Sequence, residues 1–390
     1  MYINEHSTVL STKLCGVFPQ SAICILDGTY LYCQKSANFE IQKLTYSGQK
    51  HRNLIKPMLV LAPDGYILEA EGMYMGTNND ASIAANFLLN PYGFLSFFTP
   101  EDVIILDRGF RDCCALVENL GLKVAQPSFL DGASQFSTVE ANASRLITEV
   151  RWPIESINGR IKSKFKLFRN VISNHHLIDG KIESYFRIAC AILNAFFVPT
   201  RTASPLDEQV ANHILAMFQR TNWLKDEIEK MGLQYWTSQS LIKWQRISTI
   251  SLHDFPVLCP EDIRQLTIGT YQLKLCPSYI AYRMGERDDS LKVWFNRDFS
   301  DLLRVRMDSR HRSGKSYQMW ISFQPGSAGV QSIHGWLCMC PVGSRVVGTC
   351  CHIASVLWFL GYARHLDHIS WPAEQVGNCL LDANTFDYLD

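Results

Sequence analysis

The stretch ICILDGTYLYC, residues 23–33, carries an apolar run that ends on Asp27. The same arrangement returns as VIILDRGF, residues 103–110, where Asp107 closes the run. An isolated buried carboxylate is costly. Each Asp therefore stands at a strand mouth in water or binds something. For Asp27 the plain alternative is a turn residue, because Asp-Gly favours turns, and Asp107 before Arg108-Gly109 shares it.

Around these two runs the first half alternates strands and helices. Residues 22–33 and FEIQKLTYS (39–47) read as strands, and 56–74 as a hairpin turning at Asp64-Gly65. A helix over 80–89 follows, then a strand over 102–107, a helix over 111–121 stopping at Gly121, and a short strand within 122–130. Ser137-Thr-Val-Glu140 is a capping-box pattern. It opens a long helix towards residue 168 that Pro153 interrupts or kinks. A further apolar helix covers 181–198. The expected class is α/β: a mixed sheet with flanking helices in a domain of residues 1–200.

PTRTASPLDEQ (199–209) reads as a linker, and 201–264 as a helical region with helices over 207–220 and 222–232. From 265 to 370 the texture changes to short strands, TIGTYQLKL, SLKVWFN and SYQMWISFQ, with 371–390 as a tail. No internal repeat is visible.

The bulk composition fits a folded chain: 390 residues, 47% hydrophobic and 19% charged. The longest apolar stretch, IACAILNAFFV (188–198), falls short of a membrane span, and no basic-then-apolar signal opens the chain. Thirteen Cys without such a signal point to reduced thiols and metal ligands. Lys+Arg and Asp+Glu both number 37, so the average charge gives no sign of a generic nucleic-acid binder. Two local runs differ: NGRIKSKFKLFRN (158–170) and RVRMDSRHRSGK (304–315) each hold five basic residues. The bland reading of either is a solvated helix face.

A third acid lies on the long helix, in RWPIESINGRIK (151–162). Steps of four and seven residues put Arg151, Glu155 and Lys162 on nearly one helical face, provided the helix runs through Pro153. Two strand-end aspartates and a helix glutamate make an oxygen-only donor set, suited to hard divalent ions. Two such ions can activate an attacking water or hydroxyl and stabilise the leaving oxygen of a phosphodiester. Neighbouring cations would grip phosphates without reading sequence. Arg160, Lys164 and Lys166 extend that basic set. Rival acids are Glu149 and Glu140 on the same helix, and Asp80, whose simplest role is a helix N-cap. Lys50 and His51 could touch phosphate, with a surface turn as the plainer reading.

ILDGTY, YSGQKHRN, ILDRGF and RWPIESINGRIK, in this order, resemble the DDE transposases of the PIF/Harbinger type, over about residues 20–200. The resemblance implies an RNase H-like catalytic domain and a triad of Asp27, Asp107 and Glu155 holding two Mg²⁺ or Mn²⁺ ions. It also implies phosphate-contacting roles for Arg151 and Lys162. Related insertion-sequence enzymes often carry Tyr three residues before the Arg; here Thr148 stands there.

LCMCPVGSRVVGTCCHIASVLWFL (337–360) holds C-x-C, nine residues, then C-x-H. Cys338, Cys340, Cys350 and His352 form a normal tetrahedral Zn²⁺ set, with Cys351 as a rival to Cys350. A cysteine-rich core strand without metal is the alternative. The segment resembles the SWIM zinc finger, here a small ββα module within 336–365. All four positions are filled by protein, so such a zinc is structural.

These readings imply a transposase-like DNA endonuclease and strand transferase. The alternatives are a catalytically silent DNA- or chromatin-binding descendant, and a related nuclease acting on RNA or junctions. About 26 residues precede Asp27, too few for a helical DNA-reading module. The expectation is then a separate DNA-binding partner protein, double-stranded DNA as substrate, a homo-oligomer when active, nuclear location and no membrane association.

Overall fold

The computed structural model describes residues 5–17, 21–90, 93–235, 243–249, 251–284, 291–309 and 314–372. The chain divides into two compact units, Met1–Phe129 with Ala143–Ala216, and Leu130–Asn142 with Met217–Asp390.

The first unit is organised by a seven-stranded mixed sheet of β1 (Ile23–Gly28), β2 (Leu31–Tyr32), β3 (Tyr46–Ser47), β4 (Arg52–Leu61), β5 (Ile67–Met75), β6 (Val103–Ile105) and β7 (Lys123–Ala125). β1 runs antiparallel to β4 and parallel to β6, and β6 runs parallel to β7. Leu61 of β4 pairs with Ile25 of β1 and also with Ile67 of β5, so β1 and β5 flank β4 on opposite edges. The main order is therefore β5-β4-β1-β6-β7. Gly65, at φ +93°, makes the β4–β5 turn expected at Asp64-Gly65.

Helices of this unit are α1 (Val9–Cys15), α2 (Phe39–Thr45), α3 (Asp80–Leu88), α4 (Cys114–Asn119), α5 (Thr138–Lys164), α6 (Lys166–Arg169), α7 (Asn174–Ile178) and α8 (Ile182–Phe196). The first turn of α5 belongs to the second unit by sequence. Alternation along β1 sends Cys24 and Leu26 to one face, where they pack with Ile83, Ala84 and Phe87 of α3. Asp27 has the parity of Ile23 and Ile25 and so belongs to the other face.

Residues 39–47, expected as a strand, begin as α2. Asn38 caps it, accepting a hydrogen bond from Ile41 N at 3.1 Å, and Phe39 and Ile41 stay exposed. The Ser137 capping box forms as read: Ser137 N donates to Glu140 Oε2 at 2.9 Å and Glu140 N donates back to Ser137 Oγ at 3.2 Å. Pro153 lies inside α5 without ending it.

The second unit contains a five-stranded antiparallel meander, β12-β11-β10-β9-β8, from β8 (Trp244–Ile247), β9 (Lys292–Asn296), β10 (Leu302–Asp308), β11 (Ser316–Phe323) and β12 (Ile333–Cys338). Its helices include α10 (Trp223–Lys230), α11 (Pro260–Thr267), α12 (Tyr271–Met284) and α13 (Cys351–Gly361), while α9 (Asp207–Phe218) follows the linker. Ile353, Val356, Leu357 and Leu360 of α13 share a core with Val293, Val305, Met319 and Ile321 of the sheet.

Two expectations change here. TIGTYQLKL is helical, closing α11 and opening α12, although Pro277 lies inside the latter. The basic run from Arg304 begins as a central strand and not as a solvated helix face. Arg304 is buried, its guanidinium 5.6 Å from the Trp244 ring and 5.4 Å from the Trp320 ring. Residues 310–313 of that run, and the tail beyond 372, lie outside the described residues. Among the described residues, no helix is long and apolar enough to cross a membrane.

Candidate active site

Parallel register aligns the two aspartates. Ile25 of β1 is opposite Ile105 of β6, and Asp27 and Asp107 each follow two residues later. Asp27 is still in β1, opposite Leu59 of β4, whereas Asp107 lies past the end of β6 and opens a 3-10 turn (Arg108–Cys113) without spending its carboxylate on a cap. From α5, Arg151, Glu155, Asn158 and Lys162 recur at steps of four, three and four residues, one face of a helix that Pro153 does not interrupt.

Arg151 gathers the acids. Its Nη2 donates to Glu155 Oε1 at 2.8 Å and lies 3.9 Å from Asp107 Oδ1, while Nη1 lies 3.9 Å from Asp27 Oδ2. The Arg151 side chain is 12% exposed and Asp27 20%, against 47% for Asp107 and 61% for Glu155. The group is thus closed at Asp27 and open towards solvent at the other two acids. Asn158 Nδ2 approaches Asp27 Oδ2 at 3.4 Å.

Burial raises the Asp27 carboxyl. Arg151 opposes the shift, but the carboxylates of Asp107, Asp80 and Glu155 add to it, leaving Asp27 at about 7. Ionising that carboxyl carries a cost set first by burial and only then by the three neighbouring carboxylates. A divalent cation among these oxygens would relieve it, so the donor set fits the hard ion that its chemistry implies.

Asp80 is not the N-cap of α3. Asn79 takes that place, accepting from Ser82 N at 2.6 Å. Asp80 instead meets the buried Lys56, whose Nζ donates to Asp80 Oδ1 at 3.2 Å and to Asn78 O at 2.7 Å. A Cβ added at Gly28 would fall 3.5 Å from Asp80 Oδ1, and one at Gly109 would fall 3.2 Å from Oδ2. Gly109 thus leaves room for the Asp80 carboxylate close behind Asp107, whereas a side chain at Gly28 would meet it in ordinary contact.

Tyr30 hydrogen-bonds Asp80, and burial with that neighbour pushes its hydroxyl to about 12. Lys50 and Lys56 lie 5.0 and 5.3 Å from the Tyr30 ring. Lys162 titrates below an ordinary lysine, first through burial and then through the ammonium of Lys50, with Asp27 pulling the other way. Lys50 therefore stands beside Lys162, although it also sits in the turn before β4.

The remaining basic residues point elsewhere. Arg160 Nη1 donates to Val198 O at 2.6 Å, Lys164 Nζ is 5.7 Å from the Phe197 ring, and Lys166 is exposed at the start of α6. The structure does not bring these three to the acids. Nor does it bring Glu149, which pairs with Arg145 at 2.9 Å and Arg201 at 3.9 Å, or Glu140, held in the capping box. Asn158, Tyr30 and Lys56 escape a reading by sequence, while Asp80 and Lys50 read there as an N-cap and a surface turn. Only Asn158 carried a signal, being three residues after Glu155 and seven after Arg151.

The second unit holds a different donor group. Cys338, Cys340, Cys350 and His352 are all buried, with one ligand atom from each lying within 4.8 Å of the others. A tetrahedral zinc with bonds of about 2.3 Å needs ligand–ligand edges of about 3.8 Å. Cys338 Sγ lies 3.9 Å from His352 Nδ1. Burial disfavours a thiolate at Cys350, yet hydrogen bonds from Cys338, Cys340 and His352 outweigh it and hold Cys350 well below the usual thiol range. Cys350 also caps α13, accepting from Ile353 N at 3.5 Å. Cys351 is outside the four-donor group. The residues fit zinc.

The loop carrying these thiols is braced by residues far back in the chain. Gln135 Nε2 donates to the carbonyls of Cys338 and Cys340, each at 2.7 Å. Asn142 Oδ1 accepts from Val346 N and Val347 N at 3.0 and 3.1 Å. Asn222 Nδ2 donates to Trp336 O and Ser344 O at 3.0 and 2.9 Å.

Residues 26–194, less than half of the chain, match the family model of the DDE superfamily endonuclease. The matched span starts one residue before Asp27 and takes in Asp107, Arg151, Glu155 and Lys162. It supports the DDE transposase family and a transposase-like nuclease for this segment, with DNA as the class of substrate. No curated protein and no solved structure matches the chain.

Proposed function

We propose that the first unit is an RNase H-like DDE nuclease of the PIF/Harbinger type, which cuts and joins phosphodiester bonds of transposon-end DNA. One observation carries this reading: two adjacent parallel strands and one helix deliver three carboxylates to a single guanidinium. The strand order β5-β4-β1-β6-β7 supports the RNase H-like assignment, with the acids where the parallel pair ends.

In this reading Asp27, Asp107 and Glu155 hold two Mg²⁺ or Mn²⁺ ions. Such ions, when bound, make an attacking water or hydroxyl more acidic and neutralise charge on the leaving oxygen. The chain does the rest. Exposed Asp107 and Glu155 leave the cluster open to a bulky polyanion. Lys162, with Lys50 beside it, holds the phosphate next to Asp27. Asn158 stands beside the Asp27 carboxylate, its Nδ2 3.4 Å from Oδ2. The C-terminal Cys₃His group is a SWIM-type finger carrying structural Zn²⁺. The whole acts in the nucleus as a homo-oligomer.

The deciding experiment is nicking of supercoiled DNA by the purified protein with Mg²⁺ or Mn²⁺, beside an Asp107→Asn control. Metal-dependent nicking that vanishes in the control is the expected outcome. Equal nicking by both proteins would overturn the assignment. No nicking, with salt-sensitive DNA binding, would make the chain a catalytically silent DNA-binding descendant.

A further inference from the structure

We infer that Arg151 is the resident cation of the acid cluster: its guanidinium occupies the place that a divalent ion takes, and ion entry turns it out towards DNA phosphate. The inference rests on the nuclease reading above and concerns the order in which its ligands arrive.

Arg151 touches all three acids, but unevenly. Only the contact to Glu155, four residues on along the same helix, is a hydrogen bond; those to Asp27 and Asp107 are 3.9 Å. Hydrogen bonds of this kind end near 3.2 Å, and a guanidinium built into a structural pair grips carboxylates at about 2.7–2.9 Å. Its Nη1, aimed at Asp27, is buried and has no hydrogen-bond partner among the described residues. A buried donor left without a partner costs stability. The guanidinium is centred by charge and held by one bond.

The next arginine pair back on α5 shows the contrasting case. Arg145 is buried and Glu149 16% exposed, and they meet at 2.9 Å, with Arg201 adding a second cation to Glu149. That pair is architecture. Arg151 has one cation's worth of attraction for three carboxylates, and a divalent ion offers twice the charge in a smaller volume. The exchange leaves Asp27 a second neighbour, since Asn158 Nδ2, two turns on from Arg151, lies 3.4 Å from the same Oδ2. It also frees the guanidinium on the helix face it shares with Lys162, where a phosphate is the nearest substitute for the lost carboxylates. Metal thus comes before the arginine's grip on DNA.

The test is Mn²⁺ binding to the full-length protein, dialysed without chelator so that the thiolate group keeps its metal. Free Mn²⁺ is read by electron paramagnetic resonance in the absence of DNA. Arg151→Gln should bind Mn²⁺ about tenfold tighter than the parent, and Arg151→Lys, which keeps the charge, should stay within about threefold. Asp27→Asn should bind at least about tenfold weaker. Unchanged or weaker binding by Arg151→Gln overturns the inference while Asp27→Asn still loses affinity. If Asp27→Asn binds like the parent, the acids hold no ion and the nuclease reading falls with it.

A second measurement needs no variant. Phenylglyoxal labelling, followed by peptide mass spectrometry, should modify Arg151 faster with Mn²⁺ than without. An unchanged or slower rate overturns the displacement.

Discussion

The two donor groups of this chain differ in almost every physical respect. The Cys₃His group is soft, wholly buried and complete, with four ligand atoms already within 4.8 Å of one another. The carboxylate group is hard, half-open and filled by a guanidinium from its own helix. A group closed by protein on all sides can only hold the fold, whereas one with exposed donors admits a substrate. The comparison teaches that one chain keeps its structural and its chemical sites apart by donor softness and by exposure.

The largest effect expected from breaking the comparison is at the thiolates. Cys338→Ser should lose zinc and unfold the second unit, since apparent zinc binding in small modules reaches roughly 10–16 kcal/mol and is folding energy. Metal analysis and calorimetry would show the missing ion and a lost transition. Mn²⁺ binding at Asp27 should stay as in the parent; its disappearance would join what the donor chemistry separates.

Next comes Asp107→Asn. The side chain is about half exposed and caps nothing, so melting should move little while Mn²⁺-dependent nicking falls by at least about a thousandfold. Wild-type nicking would remove Asp107 from the site.

A third test uses pH. The folded state holds the Asp27 proton more tightly than the unfolded chain, at about 7 against an ordinary 3.8. Ionised Asp27 therefore burdens the metal-free fold above pH 7, and the burden lifts as pH falls from 7 towards 4. Asp27→Asn should stabilise the metal-free protein at pH 8 by on the order of 2–4 kcal/mol and by nothing near pH 3. For the parent, Mn²⁺ affinity should drop about tenfold per pH unit below 7, as proton and ion compete. Chemical denaturation and Mn²⁺ titration at pH 5, 6, 7 and 8 would read both.

The smallest effects separate the basic residues. Lys162→Ala should weaken DNA binding several-fold and lower the salt slope by about one. Arg160→Ala, whose guanidinium is engaged at Val198, should stay within about twofold. Fluorescence anisotropy at several salt concentrations distinguishes them, and equal losses would restore Arg160 to the phosphate-binding set.

Much of the first unit was legible because its signals are local. Apolar runs ending on Asp27 and Asp107, a Ser137–Glu140 capping box and helical steps from Arg151 all act over a few residues. Residues 39–45 misled because Phe39, Ile41 and Leu44 look buried on paper, while the Asn38 cap decides for a helix with two of them in solvent. Asp80 misled by one position: Asn79 caps just as well, which releases the aspartate to Lys56. Arg304 was illegible because its partners, Trp244 and Trp320, arrive from other strands. Cys350 and Cys351 were equal in the sequence until the start of α13 turned only one of them towards the other thiols.

The braces on the thiolate loop have a consequence in time. Gln135 leaves the ribosome some 203 residues before Cys338, the loop residue whose carbonyl it will meet. At about 5–20 residues per second, that is a wait of roughly 10–40 s. Throughout it, Gln135 and Asn142 have no loop to hold, and the loop's thiols do not yet exist. The second unit is therefore a late event in biosynthesis, completed only when the thiolate loop and α13 appear. A message cut short before Cys338 would leave the early half of this arrangement permanently waiting, a ready mark for cellular quality control.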